Sequence, residues 1–145
     1  MAENNTLPLP FSQIEAFCAE HPLTAEELDF LQTHQAKPYF FHRETPLLAG
    51  LVERLESTTY EIHTQQPDYR AWYITPLGQD VYANHRALRF PPGGAAFALN
   101  ADEEPVAGTV VGYIRFPARL MPFARFTSGS QTWKVSALRL RSEGE

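Results

Sequence analysis

The chain has 145 residues, of which 43% are hydrophobic and 20% charged, and its formal net charge is -5 at pH 7. That length and apolar content are enough to build a core in one or two small domains, and they exclude a disordered chain. One cysteine, Cys18, excludes an internal disulfide; the start MAENNTLPLPF lacks a basic, then apolar leader, and no long apolar run follows, so a soluble cytoplasmic protein without a membrane segment is expected.

Helices are expected first. Ser12 with Glu15, and Thr24 with Glu27, have the spacing of capping boxes, and they predict helices over about 12–20 and 25–34. Pro38 then interrupts within QAKPYFFHRE. Thr45 before Pro46 predicts a third helix to about Glu56, because proline loses nothing at the first helical position. Leu47, Leu48, Leu51, Val52 and Leu55 form its apolar stripe. The runs TYEIHT and YRAWYI are β-prone and flank Pro67, which predicts a hairpin. Thr75-Pro76 repeats the cap-and-proline device and opens a fourth helix, roughly 76–88. The expected core draws on Ile14, Phe17, Leu28, Leu31, Leu47, Leu51, Leu55 and Ile74.

Three helices, a hairpin and a fourth helix are the order of a winged helix-turn-helix. The run GLVERLE, then Pro67-Asp68-Tyr69-Arg70-Ala71, then Ile74-Thr75-Pro76-Leu77-Gly78, resembles the recognition helix, wing tip and post-wing helix of MarR-like winged-helix transcription regulators, over about residues 25–88. The resemblance implies that the 45–56 helix enters the major groove of double-stranded DNA and that Arg70 touches the minor groove or backbone. Arg43, Thr45, Arg54, Tyr69 and Arg70 are then the candidate DNA-binding residues. Acids stand beside them, however, at Glu44 and Glu53, and an acidic face is poorly matched to phosphates.

Composition changes after Arg89. Phe90-Pro91-Pro92-Gly93-Gly94 reads as a linker, and AAFAL, TVVGYIRF, ARFT and TWKVSALRL read as strands joined by NADEEPVAG and TSGS. The expected fold is therefore α+β: a winged helix-turn-helix domain over 1–90, then a small antiparallel β appendage over 91–145. Residues 1–90 hold six basic and twelve acidic side chains, whereas Thr109 to Arg141 holds Arg115, Arg119, Arg125, Lys134, Arg139 and Arg141 with no acid. Tyr113, Phe116, Phe123, Phe126 and Trp133 are interspersed among them. A second surface built on Arg115, Arg119, Arg125, Trp133 and Lys134 is expected. Stacked bases, an acidic protein partner and a second copy of the chain, as in a homodimer, are its competing occupants. In the plainer reading these aromatics form the core and the cations a solvated face.

No catalytic constellation is legible. No two of His21, His34, His42, His63 and His85 fall at i, i+4 and no metal cluster is visible, so neither a metal nor another cofactor is expected. Cys18 shares a helical face with Ile14 and Phe17 and reads as a core thiol. Asp102, Glu103 and Glu104, beside Pro105, read as a solvated turn. A small DNA-binding regulator is the leading expectation, and a non-enzymatic protein-interaction module, an adaptor or inhibitor, is the alternative.

Overall fold

The computed structural model describes residues 6–34, 40–43, 45–55, 58–60 and 69–143. They form a mixed α+β structure with four helices, and all strand pairs are antiparallel. The chain divides into two compact units, one made of residues 21–82 and the other of residues 1–20 together with 83–145. The composition change at residue 90 is thus not where the contacts divide: the first helix and the end of the fourth belong with the β-rich unit.

In the unit formed by residues 21–82, helix α2 (Ala25–Thr33) begins as its sequence foretells. The Thr24 hydroxyl accepts from the Glu27 N–H at 3.1 Å, and the Glu27 carboxylate accepts from the Thr24 N–H at 2.9 Å. Strand β2 (Phe40–Arg43) follows, in a stretch expected only to interrupt the helices, so α2 and the next helix are not consecutive. Helix α3 (Pro46–Leu55) starts on Thr45, whose hydroxyl accepts from the Leu48 N–H at 3.2 Å. Strands β3 (Thr58–Tyr60) and β4 (Tyr69–Tyr73) pair as a hairpin, and β4 also pairs with β2, giving the sheet order β2-β4-β3. Residues 61–68, which include Pro67 of the expected hairpin, lie outside the described residues. Leu48 and Trp72 form a small core with Phe30, Val52 and Ile74 packed against it, while Leu31 and Leu51 are also buried. Leu28, Leu47 and Ile74 are only half-buried. Helix α4 (Pro76–Ala87) opens on the buried Thr75, whose hydroxyl accepts from the Gly78 N–H at 3.1 Å.

The other unit is built on a four-strand meander that a fifth strand extends. Strands β5 (Ala95–Leu99), β6 (Pro105–Arg115), β7 (Phe123–Ser128) and β8 (Gln131–Ser136) follow one another, and β9 (Leu140–Arg141) returns to β5, giving the order β8-β7-β6-β5-β9. A 3-10 turn over Ala137–Arg139 carries the chain from β8 to β9. The strand β6 is longer than the sequence suggested: Asn100 folds its side chain onto the N–H groups of Asp102 and Glu104, which tightens the turn and frees Pro105 to Gly108 to pair with β5. A short strand β1 (Leu7–Pro8), not foreseen, pairs with the far end of β6. Helix α1 (Phe11–Glu20) starts one residue before Ser12, so Ser12 lies inside the first turn and not at its cap.

Alternation sorts the strands of this unit. Ala96, Ala98, Val110, Tyr113, Ala124, Phe126, Val135 and Leu140 point inward and close over Ile14 and Cys18 of α1. A bulge between Val110 and Gly112 leaves Val111 55% exposed while returning Tyr113 to the core. The Tyr113 hydroxyl donates to the Phe90 carbonyl at 2.7 Å. Gly108 lies so close to β7 that an added Cβ would meet the Thr127 carbonyl at 2.3 Å and the Phe126 ring at 2.6 Å. No helix among the described residues is long and apolar enough to cross a membrane.

Candidate functional site

The β7–β8 hairpin is closed by the two residues Gly129 and Ser130. Gly129 has φ +61°, while Ser130 keeps the usual negative sign, which is the type II′ pattern. The turn fixes the register, so Phe126 faces Trp133 and Arg125 faces Lys134. The first pair turns inward, its rings meeting edge-on at 5.3 Å. The second pair is exposed on the opposite face, two cations placed directly across from one another. Such a pair costs stability relative to an opposite-charge pair.

A groove of about 550 Å³ opens beside β8. Trp133, Lys134, Val135 and Ser136 form one wall in succession, and Leu99, Asn100, Ala101 and Glu103 form the other. Arg139 holds that second wall together: its guanidinium donates to the Asn100 carbonyl at 2.6 Å and the Leu99 carbonyl at 3.3 Å, and it pairs with Glu103 at 3.1 Å. Arg139 and Glu103 offset one another in charge. Glu103 adopts φ 60°, the left-handed conformation its turn demands.

The expected second surface is thus partly assembled. Arg125, Trp133 and Lys134 come together on the hairpin, with Trp133 half-buried and aimed inward. Arg115 lies at the end of β6, within 3.5 Å of the Phe116 and Pro117 carbonyls, and Arg119 is exposed in the following loop. Of the aromatics expected to stack bases, Phe126 and Tyr113 are core residues, and Phe116 and Phe123 pack edge-on at 5.1 Å. Asn100, Glu103 and Arg139 were not singled out as site residues. The sequence signal for them was the asparagine ahead of three acids, which marked a turn but not what the turn would face.

In the other unit, Arg43 is exposed at the end of β2 and stands in register with Tyr69, and His42 stands opposite Arg70. Three of the five candidate DNA-binding residues therefore share one end of the β2–β4 pair. Thr45 uses its hydroxyl to cap α3. Arg54 lies in the last turn of α3, and its side chain is outside the described residues, as are those of Tyr69 and Arg70. Among described side chains of α3, Pro46, Ala49 and Glu53 are the exposed ones.

Burial pushes the Cys18 thiol up to about 12, so the thiolate is scarce at neutral pH. No group of three or more His, Cys, Asp or Glu able to hold a metal ion occurs among the described residues. The chain matches no family model, no curated protein and no solved structure. The MarR-like resemblance therefore rests on the quoted residues alone.

Proposed function

We propose that this chain is a binding protein that docks an acidic protein partner through its β-rich unit. The observation that carries the reading is the exposed pair Arg125 and Lys134, held opposite one another beside an open groove. Neighbouring cations on an exposed face favour the approach of a partner of opposite charge, by complementarity of potential. The test is a fluorescence anisotropy titration with labelled oligoglutamate at about 50 mM salt, where surface charge is weakly screened. Wild-type protein is expected to bind, and the double variant Arg125→Glu, Lys134→Glu to lose binding. Equal binding by both would dismiss this face.

A second reading, a winged-helix-like unit that binds double-stranded DNA, is favoured by the register of Arg43 with Tyr69 and of His42 with Arg70. The hairpin β3–β4 directly after α3 agrees with a helix followed by a wing. The exposed Ala49 and Glu53 of α3 weigh against it, since neither donates to a base edge or a phosphate. A labelled random duplex titrated in parallel separates the two. If it binds and Arg70→Ala flattens the slope of log affinity against log salt by about one, the DNA reading stands.

A further inference from the structure

The bulge in β6 turns a patch of apolar side chains outward around one arginine. Register sets their common face: Arg125 stands opposite Gly112 and Phe123 opposite Ile114, while Ala124 and Tyr113 between them point into the core. Val111, the extra residue of the bulge, adjoins Gly112 and is 55% exposed. Phe116, the next outward residue after Ile114, is 36% exposed, and its ring meets that of Phe123 edge-on at 5.1 Å. Arg115, at the same end of β6, donates to the Phe116 and Pro117 carbonyls, which are uncharged acceptors. No acid occurs anywhere from Thr109 to Arg141.

The strands beneath this patch are paired on both sides. Strand β7 lies between β6 and β8, and β6 has β7 on one side and β5, Gly94, Leu9 and β1 in turn along the other. A segment lying across this face therefore finds no ladder to join and must satisfy its own N–H and C=O groups, which a helix does internally and an extended strand does not. We infer that the patch of Val111, Phe116, Phe123 and Arg125 docks an acidic amphipathic helix of a protein partner. The inference rests on the acidic-partner reading above and supplies the form of the partner. The five-residue step from Val111 to Phe116 spans about 16 Å, the length of about three helical turns. Apolar anchors at helical spacing on the incoming segment meet Val111 and the Phe116–Phe123 pair, and carboxylates beside its apolar stripe reach Arg125. Two copies of this face would bring arginine toward arginine, which argues against a second copy of the chain as the occupant.

The experiment uses the full chain and a fluorescent Leu-Glu-Ala peptide of about four helical turns, its leucines on one stripe and its helix held by a side-chain cross-link. A second peptide has the same composition and cross-link with the leucines scattered, and oligoglutamate is the third. The striped peptide is expected to bind wild type about tenfold more tightly than the scattered one, as for one or two apolar anchors gained. Val111→Ser changes a side chain that is already more than half exposed, so the fold should tolerate it, and Phe116→Ser repeats the test with circular dichroism confirming the fold. Each serine variant should weaken the striped peptide about threefold to tenfold and leave oligoglutamate unchanged, whereas Arg125→Gln should weaken both. If the striped and scattered peptides bind alike and Arg125→Gln weakens both, helix docking is wrong and acidic docking stands. If the striped peptide binds but ignores Val111→Ser and Phe116→Ser, its site is another face and the inference is overturned. If neither the peptides nor oligoglutamate bind, the docking reading itself falls. A dimer of the free protein that Val111→Ser dissolves would assign the patch to a second copy and overturn the inference.

Discussion

The guanidinium of Arg86, in the last turn of α4, donates to the main-chain carbonyl of Leu140 on the closing strand β9. Arg86 is 1% exposed, and its guanidinium also lies 5.5 Å from the centre of the Phe90 ring. A long cationic side chain in such a place serves the fold and not a ligand. Arg86→Ala should destabilise the protein by about 2–4 kcal/mol, from a lost charge-assisted bond and an emptied volume. Urea unfolding followed by tryptophan fluorescence measures it, and a loss under about 0.5 kcal/mol, the range of an ordinary surface change, would contradict the placement.

Gly108 and Gly112 lie on the same strand and should behave differently. An added Cβ at Gly108 collides with the Thr127 carbonyl and the Phe126 ring, whereas at Gly112 nothing lies within 4 Å. Gly108→Ala is expected to cost about 1–3 kcal/mol through forced separation of β6 and β7. Gly112→Ala should be close to neutral. Thermal melts of the two variants side by side decide it.

Alkaline pH should destabilise the β-rich unit. Burial pushes the Cys18 thiol up from an ordinary value near 9.0 to about 12. A group whose folded value is raised contributes stability that is complete below its unfolded value and is lost as pH climbs toward the folded one. Burial raises Tyr113 as well, and with the same sign. Denaturation midpoints should thus fall between about pH 9 and pH 12, and Cys18→Ala should flatten part of that fall. A native thiol that reacts with a disulfide reagent at neutral pH as fast as the unfolded one would refute the burial.

The exposed cation pair carries a trade-off. Arg125→Glu places an opposite charge across from Lys134 and should raise stability by about 0.2–1 kcal/mol. The same change should weaken oligoglutamate binding. Stability and binding moving in the same direction would argue that the pair has no ligand.

Local chemistry was the most legible part of the sequence. Thr24, Thr45 and Thr75 cap the helices they precede, as their spacing to Glu27, Pro46 and Pro76 suggested. The β7–β8 hairpin was legible for the same reason, because Gly129 supplies the positive φ that its turn needs. Pairings between distant segments were not. Strand β2 occupies a stretch with a proline and no clean alternation, and only its partner β4 makes it a strand. The reading of Phe126 and Tyr113 as core residues, with Arg125 and Lys134 outside, agrees with period-2 alternation. The groove escaped notice because its second wall depends on Arg139 reaching back to Asn100, a bond between side chain and backbone that no spacing rule reports.

Strand β1 has a consequence for how the molecule is made. Leu7 pairs with Arg115, and the Leu9 N–H donates to the Tyr113 carbonyl at 3.0 Å, so residues synthesised first find their partners only after most of the chain has emerged. The described strands and core of the unit of residues 21–82 lie within one continuous stretch. Vectorial synthesis should therefore complete the inserted unit while the leading segment still waits, its Ile14 and Cys18 uncovered until β6 and β7 arrive. In a cell, that interval is when a chaperone would have most of this chain's apolar surface to hold.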